Sequence, residues 1–213
     1  MNITFGTVLA SRNSILQQFT ENNNFKIIDI GGVAGGGWSS PIVNMIIDKN
    51  TFDSETSLQV DICVYTEWDK VLNHVHQNGK YDYAICTHTL EDVYNPFTAL
   101  EMLPKIAKAG IITMPSLRTE LSKVENNNWL GYIHHRWMFD IINNKMLIIP
   151  KLELLSKLVG NNIKFEPMQE EIRYEWENTI PYEIFMDNYL GPSADVVINS
   201  YTNLINKFKT KQL

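Results

Sequence analysis

An apolar run, Lys26-Ile27-Ile28-Asp29-Ile30, leads straight into Gly31-Gly32-Val33-Ala34-Gly35-Gly36-Gly37, which places five glycines within seven positions. A β-type run this apolar has to be buried. A loop this free of side chains lets backbone N–H groups approach a ligand closely. In an open α/β sheet the ligand crevice lies beyond the carboxyl ends of the strands, where this loop would sit. The stretch therefore reads as the floor of a nucleotide-like cofactor site, and the rest of the chain as its walls.

Alternation of short apolar runs with helical spacing supports that frame. Residues 11 to 20 place Ile15, Leu16 and Phe19 on one helical face ahead of a first strand over Phe25 to Ile30. Pro41 to Asp48 reads as the second strand, and its terminal carboxylate is the arrangement that accepts hydrogen bonds from a ribose diol. Asp48 stands about 17 residues after Gly31, close to the roughly 20 expected of such a pair. The segment between leaves little room for a crossover helix. Leu58 to Tyr65, carrying Asp61, is a third strand. Thr66 to Gln77 is a helix stopped by Asn78-Gly79. Tyr81 to Thr87 is a fourth strand, apolar enough to be buried on both faces. Phe97 to Ala107 is a helix kinked at Pro104 and closed by Ala109-Gly110, and Ile111 to Met114 is a fifth strand. This pattern predicts a doubly wound, mostly parallel sheet.

After Pro115 the character changes. Ser116 to Asn128 is polar, and Trp129 to Trp137 concentrates Trp, Tyr, His and Arg. Phe139 to Ile142 and Met146 to Ile149 flank Asn143-Asn144 as a β-hairpin. Ile172 to Trp176 suggests another strand, and Val196 to Phe208 a closing helix. The whole, 1–213, reads as a single domain: a cofactor core over 25–115 and an acceptor-side elaboration over 116–213.

Composition bounds the partners. The chain is 44% hydrophobic with a net charge of -6, which suits a buried core and argues against a phosphate-tracking nucleic-acid surface. No apolar run reaches the length of a membrane span, and Met1 to Ser14 lacks the pattern of a secretory signal. Cys63 and Cys86 read as buried free thiols of a reducing compartment, so a cytoplasmic setting is expected.

Asp29-Ile30-Gly31-Gly32 with Gly35, then Asp48, then Asp61, resembles the first cofactor motifs of class I S-adenosylmethionine-dependent methyltransferases. Leu90-Glu91-Asp92-Val93 with Asn95-Pro96 is similar to the strand-four ending of the ubiquinone-type, small-molecule group. Lys108-Ala109-Gly110-Ile111-Ile112 matches that group's turn into strand five. Gly131-Tyr132-Ile133-His134-His135-Arg136-Trp137 is similar to a His-His-Arg-Trp segment in a bacterial and viral subset, several of them encoded near sugar or glycan genes. One departure stands out: Val33 replaces the usual second glycine.

The resemblance implies a Rossmann-like fold and S-adenosylmethionine as cofactor. Gly31, Gly32 and Gly35 would pass its methionine part, with Asp29 orienting the loop or meeting the amino group. Asp48 would take the ribose, Asp61 and Ile62 the adenine, and Thr87 stands where strand four opens onto the site. His88 has the chemistry of a general base at neutral pH. Asp92, His134 and His135 are further catalytic candidates, and Arg136, Trp129 and Tyr132 are candidates for binding a sugar-bearing or anionic acceptor. No resident metal is assigned; the set that would serve one is His88, Glu91 and Asp92, at i, i+3 and i+4. The expected reaction is O-methylation of a sugar, glycan precursor or other small molecule, without nucleic-acid or membrane partners. Two rivals are a degenerate cofactor-binding scaffold and a nicotinamide-dependent oxidoreductase or epimerase. The second demands Gly-x-Gly-x-x-Gly, and Val33 breaks that pattern.

Overall fold

A computed structural model describes residues 2–20, 24–33, 37–125, 129–159, 169–185 and 194–210. Ten strands and six helices run β1 (Asn2–Gly6), α1 (Val8–Thr20), β2 (Ile27–Ile30), β3 (Met45–Asp48), β4 (Ser57–Gln59), α2 (Trp68–Asn78), β5 (Tyr81–Thr87), α3 (Pro96–Ile106), β6 (Ala107–Pro115), α4 (Leu117–Glu120), β7 (Trp137–Ile142), β8 (Lys145–Pro150), α5 (Glu153–Val159), β9 (Glu171–Glu177), β10 (Tyr182–Ile184) and α6 (Ala194–Thr210), with a 3-10 turn at Tyr65–Glu67. Seven strands form one sheet in the order β1-β9-β6-β5-β2-β3-β4, parallel from β6 to β4 and antiparallel on both sides of β9. This is the doubly wound, Rossmann-like sheet that the alternation predicts. A second sheet, β10-β8-β7, carries the hairpin.

The central strands are buried on both faces, as their unbroken apolar runs require. On one face Ile28, Ile30, Ala84, Cys86, Ile112 and Met114 join the main core under α2 and α3. On the other, Ile27, Ile85 and Ile111 meet Ile15 and Phe19 of α1. Between β2 and β3 the described residues hold no helix. Trp38, Ile42 and Val43 of that irregular segment pack against this second face instead. Turns occupy the positions before Met45, so the second strand is shorter than the run from Pro41 suggests. A third cluster packs α4, α5 and α6 behind the hairpin, around Leu121, Met138, Ile149 and Tyr201.

Several sequence expectations are corrected. The third strand ends at Gln59, so Asp61 lies in the turn after it. Gly110 is inside β6 rather than at a helix stop: a β-carbon there would strike the Ala84 carbonyl oxygen and come within 2.7 Å of the Trp176 ring. The glycine therefore serves close strand packing. Edge strand β1, β10 and the short helices α4 and α5 are absent from the sequence reading. Ile172 to Trp176 is indeed a strand, inserted between β6 and β1. The Asn143-Asn144 turn has both residues at positive φ, 51° and 62°, the backbone of a two-residue hairpin turn. Cys63 and Cys86 are free and buried. No helix among the described residues is long and apolar enough to cross a membrane.

Candidate active site at the strand ends

Parallel pairing puts the carboxyl ends of β2, β3, β4 and β5 on one edge of the sheet. A cleft of about 320 Å³ opens there, lined by Gly31, Asp48, Asp61, Ile62, Thr89 and Asp92 among others. Gly31 has φ +78°, and a β-carbon on it would collide with the Thr89 side chain. Both facts reserve the position for glycine. Gly32 and Val33 line an adjoining hollow with Asp48. Gly35 lies outside the described residues. Asp48 Oδ1 accepts from the Asn50 amide at 2.6 Å. Asp61 accepts from the Cys63 amide at 3.0 Å and pairs with Lys49 at 3.0 Å. Partial burial works to raise the Asp61 carboxyl, but the Cys63 amide and Lys49 outweigh it and hold the group below the ordinary carboxylate range.

Asp29 does not reach the cleft. It is 2% exposed beneath the loop, accepts a short hydrogen bond from Ser39, and lies 2.5 Å from where a Gly32 β-carbon would be. Burial pushes its carboxyl up to about 6, against the Ser39 hydroxyl and Arg12. Thr87 ends β5 with its carbonyl accepting from the Thr89 hydroxyl at 3.1 Å.

His88 turns the chain out of β5 at φ 49°, a left-handed backbone at a non-glycine residue. Its amide donates to Thr113 O at 2.9 Å. Its Nδ1 faces Glu91 Oε1 at 3.1 Å and its Nε2 faces Glu171 Oε2 at 2.7 Å, both carboxylates 1% exposed. Burial alone would depress this imidazole. The Glu171 and Glu91 hydrogen bonds override that and raise it to about 9. Both ring nitrogens of the general-base candidate His88 are thus engaged by carboxylates. Glu91 and Glu171 each keep one buried oxygen without a partner.

The His-His segment is brought over this loop by backbone bonds. The amides of Arg136 and Trp137 donate to Glu91 O at 2.7 and 3.2 Å, and the Trp137 indole donates to Val93 O at 2.9 Å. A second cleft of about 230 Å³ results, walled by Arg12, His88, Asp92, Tyr132, His134 and Glu171 among others. His135 is buried, its Nδ1 2.6 Å from Glu120 Oε1, and Lys151 holds the other Glu120 oxygen at 2.5 Å. Gly131 (φ +58°) packs on that pair, where a β-carbon would clash. His134 and His135 each present Nε2 to Asp92 Oδ1 at 3.7 Å. Trp129 lines a separate hollow behind His135, and Arg136 is exposed and lines neither cleft. Of the three acceptor-binding candidates, only Tyr132 lines this second cleft.

No family model matches the sequence, and no curated protein does. Among solved structures the chain is similar to the MycE methyltransferase from the mycinamycin biosynthetic pathway in complex with Mg and SAH. The identity is 12% and the TM-score 0.36, over 90% of this chain and 52% of that one. It is also similar to the N-terminal domain of EvdMO1 in the presence of SAH and D-fucose, at 9% identity and TM-score 0.30, over 91% and 70% of the two chains. The chain thus spans about half the length of the MycE protein. Likeness this distant assigns no chemistry, and the site has to speak through its own residues.

Among those, the sequence reading did not single out Glu171, Glu120, Lys151 and Arg12. No local motif marks them. Glu171 meets His88 across 83 positions and Glu120 meets His135 across 15. A buried carboxylate and a solvated one look alike in a polar run.

Proposed function

We propose that this chain is an S-adenosylmethionine-dependent methyltransferase acting on a hydroxyl of a small polar acceptor, with a sugar or glycan precursor as first choice. The observation that carries the reading is that two clefts meet at His88 and Asp92, which line both. One is floored by a strand-end glycine and edged by Asp48 and Asp61; the other is walled by three imidazoles, Tyr132, Arg12 and the carboxylates of Glu91, Asp92, Glu170 and Glu171. That pairing suits a nucleoside-bearing cofactor on one side and a polar acceptor on the other. Gly31, Asp48, Asp61 and Ile62 would hold the cofactor, which supplies an electrophilic methyl group when bound. The chain's own share is alignment of the acceptor, exclusion of water, and removal of the hydroxyl proton. The Asp92 carboxylate, flanked by His134 and His135, is the group we assign to that proton. His88, already protonated, fixes the loop that carries Asp92.

Calorimetric titration with S-adenosylhomocysteine tests the reading. Binding in the micromolar range is expected, about -8 kcal/mol, with no heat from NAD. Binding of NAD alone would favour the oxidoreductase. Binding of S-adenosylhomocysteine without labelled-methyl transfer to any sugar acceptor would favour the scaffold.

A further inference from the structure

We infer that Asp92, His134 and His135 form a binding site for one divalent first-row transition metal ion. The ligand atoms of the three residues all lie within 4.8 Å of one another. Each imidazole Nε2 stands 3.7 Å from Asp92 Oδ1, too far for a hydrogen bond. The three groups therefore converge without satisfying each other. Around a tetrahedral ion with bonds of about 2.0 to 2.1 Å, ligand atoms sit about 3.4 Å apart. The two oxygen–nitrogen distances of 3.7 Å lie a few tenths of an ångström above that spacing.

The orientation of His135 is the second observation. Its Nδ1 is held at 2.6 Å by Glu120, which is itself fixed by Lys151, and both side chains are at least nine-tenths buried. A carboxylate on one imidazole nitrogen sets the tautomer and aims the other nitrogen at a metal. His134 stands edge-on to His135, with ring centroids 4.5 Å apart at 82°. The ligands come from two chain segments, the loop after β5 and the segment before β7. The Arg136 and Trp137 amides on Glu91 O lock these segments together one residue from each ligand group. Two nitrogens and one carboxylate oxygen suit zinc, cobalt, nickel or iron rather than magnesium or calcium, which favour all-oxygen shells. Three protein ligands leave a coordination position open, and Asp92 and the histidines face the second cleft. On the function proposed above, that position would receive an acceptor hydroxyl. Metal binding itself does not depend on that function.

The test is calorimetric titration of the full chain, stripped with chelator, with Zn²⁺. One ion per chain with a dissociation constant in the micromolar range or tighter is expected. His134→Ala and Asp92→Asn, both at exposed side chains, should each weaken binding at least about tenfold, and Glu120→Gln about 10- to 100-fold by releasing His135. His76→Ala, at an exposed imidazole on α2, should leave it unchanged. The site is overturned if no one-to-one binding occurs, if His134→Ala or Asp92→Asn binds zinc as the parent does, or if Mg²⁺ displaces Zn²⁺ at equal concentration. S-adenosylhomocysteine titrated into the same preparation separates the two ideas. Its binding without zinc binding overturns the metal site alone, and zinc binding without it overturns the methyltransferase reading alone.

Discussion

His88 is the residue on which most of the site turns. Its backbone is strained, its ring bridges two buried carboxylates, and its proton is held to about pH 9. A histidine whose folded pKa lies above its unfolded value of about 6.5 stabilises the fold fully below that value. The contribution fades as pH rises through 9. The unfolding free energy between pH 6 and 10, read from urea midpoints, should therefore fall in the parent protein over and above the fall in His88→Gln, by at most about 3.4 kcal/mol in all. Parallel curves would remove the ion pair from the stability account. Asp48→Ala makes a second residue-scale prediction: S-adenosylhomocysteine should bind at least about tenfold more weakly, with the melting temperature of the free protein nearly unchanged, because the carboxylate edges a cleft rather than the core. The strand-end placement of Gly31 and Asp48 was legible in the sequence because backbone demands there leave a local signature, whereas Asp61, expected within a strand, lies in the turn after one. Glu171 and Glu120 were not legible, because burial of a carboxylate is decided by partners far along the chain.

At the scale of elements, strands buried on both faces announce themselves: Tyr81 to Thr87 is found with the expected limits. The hairpin is equally plain, since two asparagines between apolar runs tolerate left-handed backbone. Asn144→Gly should be neutral in urea denaturation, whereas Asn144→Ala should cost about 1 kcal/mol. Gly110 misled because glycine after a helix usually ends it, whereas here it lets β5 and the Trp176 ring close on β6. Gly110→Ala should lower stability by about 1 to 3 kcal/mol, read from the urea midpoint. Strand β1 left no trace because Phe5 is 56% exposed and the strand has a single neighbour. Its pairing with β9 is a tertiary fact that no local pattern encodes.

Taken whole, the molecule joins its first residues to its last third. β9 lies between β1 and β6, so Asn2–Gly6 pairs with Glu171–Glu177 and, among the described residues, with no strand synthesised sooner. The order of events during synthesis follows. The parallel core from β2 to β6 can form while the ribosome is still adding residues. The N-terminal strand must wait unpaired until Glu177 has cleared the exit tunnel. Glu171, the nearer carboxylate to His88, arrives on that same late strand. A chain arrested before it should carry a nascent sheet whose β6 edge is open to foreign strands, and an imidazole lacking one of its two anchors. The site would then be finished by the event that closes the sheet, which makes a correctly poised His88 a mark of a chain whose strand β9 is in place.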